Sequence, residues 1–198
     1  MSAEECRKAD ALTRQPGHGD KRCASFEAAC FDCGCERYSV GPGSPGVVDP
    51  AETVTRFHFS PIDVDENGKL TSFAFLDVAE LGLSVTREQA SDEVMTAAIS
   101  KRLGRMKPDA VWQSVSIASV AEIRKIQRLQ PNKSPERAFG VYDTAEQDNC
   151  QHAEIMQTKA GRSLRKELRK KFTAIQRQDY RSGRLQPCRG GETSGVDD

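Results

Sequence analysis

Short runs in which apolar residues recur at every second position, each closed by Gly, Pro or Asn-Gly, restrict this chain's folding options most. A period of two is the strand period, and one face of each run must be buried. Val54, Arg56 and His58 alternate with Thr55, Phe57 and Phe59, ended by Ser60-Pro61. Val111, Gln113, Val115 and Ile117 alternate with Trp112, Ser114, Ser116 and Ala118. Leu83-Ser84-Val85-Thr86, Ala138 to Tyr142 and His152 to Met156 read as three further strands.

Helical signals lie between these runs. Thr71 to Leu81 reads as a short helix stopped by Gly82. Asp92 to Leu103 follows Ser91 as a cap, with acidic residues in its first turn and Val94, Ala97, Ala98 and Ile99 on one face. Ser119 and Glu122 have capping-box spacing and start a helix through Ile126. Residues 163–178 form the clearest helix, with Leu164, Leu168, Phe172 and Ile175 on one stripe among Arg and Lys. The expected fold is a single compact α+β domain with a small antiparallel or mixed sheet. A C-terminal amphipathic helix docks on that sheet.

Residues 1–50 carry ten of the chain's Gly and Pro residues, from Pro16 to Pro50, and show no sustained period. Such a segment is expected to be a flexible Gly/Pro/Cys-rich leader, removable from an α+β domain of residues 51–182. Residues 183–198 read as a flexible tail. Apolar stretches are short, such as Phe73 to Leu76, far from the roughly 20 residues a membrane span needs. Glu4, Glu5, Arg7, Lys8 and Asp10 exclude an apolar signal core at the start. A soluble, cytoplasmic protein with no membrane association is expected. Lys plus Arg equals Asp plus Glu at 29 each, so overall charge selects neither an acidic nor a basic partner.

Three residue groups carry chemistry. Cys23, Cys30, Cys33 and Cys35, with His18 nearby, offer soft ligands for zinc, although only Cys30-x-x-Cys33 has chelating spacing. Arg56 and His58 share one strand face, His152 and Glu154 share another, and Ser84 lies between them in sequence. If those faces converge, two His and one Glu can hold a metal, or a His–Glu pair can perform acid–base work. The order Arg56, Ser84, Glu154 also resembles the polar residues that bind and polarise NAD in ADP-ribosyltransferase-like folds. Finally, the basic run Lys159 to Arg184 contains Arg165, Lys166, Arg169, Lys170 and Lys171, which can neutralise the phosphates of a nucleic acid or present a solvated face. Asp63 to Leu70 matches the first half of an EF-hand loop, but Ala74 stands where a bidentate Glu is needed, so it reads as a turn.

Gly68-Lys69-Leu70-Thr71-Ser72 with Ala74-Phe75, then Leu83-Ser84-Val85 with Arg87, then Asp148-Asn149 with His152-Ala153 and a basic helix resemble a set of small uncharacterised bacterial proteins. The likeness spans about residues 54–187 and departs at Cys150, where such proteins usually have Pro. It implies the domain boundaries and no activity. The expected role is that of an accessory or binding protein with a protein partner. A small ADP-ribosyltransferase-like NAD-using enzyme and a nucleic-acid-binding module are the alternatives.

Overall fold

A computed structural model of the chain describes residues 2–15, 21–30, 33–41, 43–87, 92–146 and 149–180. His18, Ser91, Asp148 and the tail 183–198 lie outside the described residues. The five expected strands, β1 (Thr53–Ser60), β2 (Leu83–Arg87), β3 (Val111–Ser119), β6 (Phe139–Asp143) and β7 (His152–Gln157), form one six-stranded sheet with β8 (Thr173–Gln176). Its order is β6-β7-β2-β1-β3-β8, and every neighbouring pair is antiparallel. β4 (Gln127–Arg128) and β5 (Glu136–Arg137) form a separate two-stranded ladder.

Register assigns each side chain to a face, because directly opposed residues of antiparallel strands point the same way. Thr55 opposes both Thr86 and Ile117, Thr86 opposes His152, and Ser84 opposes Glu154. Val54, Leu83, Val85, Val141, Ala153 and Ile155 therefore share the opposite face. There they form the main core with Phe75 and Val78 of the 3-10 segment Ser72–Ala79 and with Ile123 of α4 (Val120–Arg124). Leu164 and Leu168 of α5 (Arg162–Lys170) and Phe172 complete it. Each buried Leu or Phe is worth about 1.5–3 kcal/mol, so this stripe fastens α5 to the sheet.

The first face is covered in two places. α3 (Asp92–Leu103) packs Met95 against Phe57, Phe59 and Val115. Over the β6–β7 end lie α1 (Ala3–Thr13) and α2 (Arg22–Cys30), whose Cys6, Cys23, Phe26 and Cys30 cluster with Tyr142 and Met156.

Two expectations are corrected here. The described parts of residues 1–50 are not a structureless leader. Ser2 and Glu5 close a capping box that starts α1, and the buried face of the pair is built from Cys, Ala, Phe26 and charged groups rather than Leu or Val. The C-terminal helix also ends at Lys170, eight residues early, and Ile175 lies in β8 opposite Val115. Thr173-Ala174-Ile175-Gln176 can serve either period, and the unpaired edge of β3 recruits it as a strand. Among the described residues, no helix is long and apolar enough to cross a membrane.

Candidate functional site

Among the described residues, the β1–β2 ladder comprises Val54 with Arg87 and Thr55 with Thr86. Beyond it, side chains rather than backbone bonds connect the strands: Arg56 Nη1 donates to Ser84 O at 2.8 Å. Above this gap, beside α3, lies a cavity of ≈ 230 Å³. Ser84, Thr86 and His152 form its floor, and Lys101, Arg102 and Arg105 enter from the end of α3 and the turn after it. Arg56 also lines it, while Phe57, Val85 and Met106 supply apolar wall.

Ser84 Oγ and His152 Nε2 are 2.8 Å apart. On the other side of the ring, Nδ1 lies 3.0 Å from both Thr144 O and Thr144 Oγ1; the hydroxyl can accept as well as donate. A carbonyl oxygen only accepts, so Nδ1 carries the proton, and in the neutral ring Nε2 accepts from the Ser84 hydroxyl. A serine hydroxyl hydrogen-bonded to an oriented imidazole is the arrangement that activates oxygen nucleophiles. It also satisfies a buried polar pair without any chemistry.

Among the described residues, four cations and one carboxylate line the cavity. Lys101 Nζ meets Glu146 Oε2 at 2.5 Å, and Arg102 Nη2 lies 3.5 Å from Asp63 Oδ2, with its guanidinium 5.4 Å from the Phe59 ring centroid. Arg56 is 2 % exposed. Among the described residues its carboxylate partner is Asp77, 3.9 Å away, and its Nε has no hydrogen bond. Burial, reinforced by Arg102, pushes its pKa down to about 10, so it stays charged at neutral pH.

The expected five-residue constellation is assembled only in part. Ser84 and His152 meet; His58 does not join them. β1 turns His58 to the opposite face, where Nε2 lies 2.7 Å from Ser116 Oγ and the ring sits 5.8 Å from Phe75. Burial first, then Arg56 and Arg102, push its pKa down to about 3. Glu154 shares the floor's face but is held by the N-terminal segment: Arg22 Nη1 and Nη2 donate to its two oxygens at 2.8 and 2.7 Å, and Arg14 Nη2 adds a contact at 3.0 Å. Burial raises its carboxyl, and the two guanidiniums more than offset that, leaving the pKa below the ordinary range. A two-His-one-carboxylate metal site is therefore not formed by His58, His152 and Glu154.

Of the four expected zinc ligands, Cys30 and Cys35 converge, and their third neighbour is Cys6 rather than Cys23 or Cys33. Cys23 Sγ instead donates to Val78 O at 3.5 Å, and burial pushes its pKa up to about 12. Cys33 Sγ lies 4.0 Å from Thr158 Oγ1, and burial raises its thiol too. On the basic helix, Arg169 Nη2 donates to Leu70 O, Lys170 pairs with Glu167 and Lys171 with Glu122. Arg165 borders a separate surface pocket beside Lys159, and Lys166 is exposed.

Sequence reasoning missed Lys101, Arg102 and Arg105. Their signal was present, a basic last turn before Gly104, but it reads first as ordinary helix termination. Arg14 and Arg22 carried no local signal. No protein-family model, no curated protein and no solved structure matches the chain.

Proposed function

We propose that this chain is a binding protein for a small anionic ligand, one bearing a phosphate or carboxylate group, held in the cavity between α3 and the β2–β7 floor. The observation that carries the proposal is Arg56. A buried guanidinium whose described carboxylate partner stands 3.9 Å away is costly, and an anion arriving from the cavity offsets that cost. Arg102 and Arg105 add positive charge on the same cavity, and planar guanidiniums match both phosphate and carboxylate oxygens. A volume of 230 Å³ is below the roughly 300–1,000 Å³ of sites for drug-sized ligands, which favours a small anion over a whole dinucleotide such as NAD. Calorimetric titration with inorganic phosphate, pyrophosphate, citrate and NAD tests it. A phosphate or small polycarboxylate that binds the wild type and loses at least tenfold in affinity in Arg102→Gln supports the reading. No binding by any of the four probes refutes it.

A second reading rests on the Ser84–His152 hydrogen bond. With Nδ1 fixed by Thr144 O, His152 is set to take the Ser84 proton as the oxygen attacks an ester bearing an anionic group. Labelling of Ser84 by a fluorophosphonate probe, lost in His152→Gln, separates this enzyme from a binding protein. Absence of labelling in folded wild type leaves the hydrogen bond a structural one.

A further inference from the structure

Cys6 of α1, Cys30 at the end of α2 and Cys35 of the 3-10 segment Gly34–Arg37 are each 0 % exposed, and their sulfurs lie within 4.8 Å of one another. Among the described residues they are the only His, Cys, Asp and Glu side chains that converge in a group of three. Cys35 Sγ is within bonding reach of both Cys6 and Cys30, with Cα–Cα separations of 5.5 and 5.4 Å. A sulfur forms one disulfide, so oxidation can join only two of the three and leaves the third thiol buried against that bond. We propose that Cys6, Cys30 and Cys35 bind one soft metal ion, zinc or copper(I), as thiolates, and that this ion ties α1, α2 and the Gly34–Arg37 segment into one unit.

The chemistry follows from ligand type. Three thiolates select soft cations, and carboxylate-loving ions such as magnesium or calcium are excluded. Copper(I) is satisfied by three sulfurs, whereas zinc keeps one position for a further ligand. Binding is a proton exchange without redox change: three thiols release three protons and the cation takes their place. The surroundings are apolar, with Phe26, Val40, Tyr142 and Met156 packed in the same cluster as the three cysteines. Next to Cys35, Glu36 is paired with both Arg124 and Arg137, two positive groups for one carboxylate, which helps balance the surplus charge of a zinc tris-thiolate. Ligand spacing supports a structural role as well. Cys30 and Cys35 are five residues apart and Cys6 is 29 residues from Cys35, so the ion closes a loop through both N-terminal helices.

The test uses the full chain, purified under reductant and without chelator. Elemental analysis should find about one equivalent of zinc or copper per chain, and which of the two is found identifies the ion. Titration of demetallated protein with cobalt(II) should produce the thiolate-to-cobalt charge-transfer absorption of several coordinated sulfurs. Cys35→Ser should lose the ion, while Cys23→Ser and Cys33→Ser should keep it. Should Cys35→Ser fail to fold, the wild-type stoichiometry and cobalt spectrum still decide. Wild type that takes up neither ion on reconstitution, or that keeps a Cys35 disulfide by intact mass under reductant, overturns the proposal. Loss of metal in Cys23→Ser or Cys33→Ser overturns the ligand assignment.

Discussion

Replacing Arg22 by Met should destabilise the protein by about 3 kcal/mol or more, because it strands a buried carboxylate. Arg22 donates to both oxygens of Glu154 at 2.8 and 2.7 Å, and also to Asp10 at 3.0 Å and Leu81 O at 2.5 Å. Side-chain exposure is 8 % for both Arg22 and Glu154. Breaking a buried pair by removing one partner typically costs about 3–5 kcal/mol. The lower end applies, since Arg14 remains at 3.0 Å, with its side chain 36 % exposed and screened. Against a total stability of about 5–15 kcal/mol that is a large fraction. Urea denaturation followed by far-UV circular dichroism reads it. In a cycle with Glu154→Gln, the double variant should recover part of the loss, because a neutral amide tolerates burial better than an unpaired carboxylate. The pH dependence has a definite sign. Glu154 titrates below its ordinary 4.5 in the folded protein, so its contribution is present above about pH 4.5 and is lost as pH falls through the lower folded value. Arg22→Met should flatten that part of the acid limb. A loss below about 1 kcal/mol would show that the pairing is too solvated to matter, and would sink the reasoning. The same contacts reverse the expectation for deletion: removing residues 1–50 should destabilise the domain, with thermal melting as the readout.

Three further outcomes are expected. Leu168→Ala, at a fully buried position, should cost about 2–5 kcal/mol by urea denaturation, and an effect near zero would mean α5 is not docked. His58, held neutral with its pKa down to about 3, favours protonation of the unfolded chain below its ordinary 6.5. Stability should therefore fall by about 2 kcal/mol between pH 7 and pH 5, and His58→Gln should remove that slope. Because Arg169, Lys170 and Lys171 already have intramolecular partners, filter binding should show no steep salt dependence toward RNA or DNA. Salt-dependent binding whose log–log slope drops by about one for each of Arg165, Lys166 and Arg169 replaced by Gln would contradict this.

Legibility differed sharply between the sheet and the site. The five strands expected from alternation are all present, because a period of two is a local property of the chain. Helix α3 was readable for the same reason, its period and acidic first turn being local. β8 was not, since Thr173 to Gln176 becomes a strand only by pairing with the edge of β3. α1 and α2 were missed because their buried face is made of cysteines, alanines and paired charges, which carry no hydrophobic period.

What the sequence determined by itself was the class of fold, the position of most strands, the docking stripe of Leu164, Leu168 and Phe172, and the pairing of His152 with Glu154 on one face. All of these follow from the parity or pitch of neighbouring residues. Only the tertiary structure decided which faces meet. Strand order set β2 between β1 and β7, so Ser84 reached His152, while the register through Thr55 and Thr86 turned His58 to the other side of the sheet. Contacts between Arg22 and Glu154, 132 residues apart, and between Cys6 and Cys35, 29 apart, depend on how layers stack. Periodicity says which side of an element is buried but carries no information about which partner buries it.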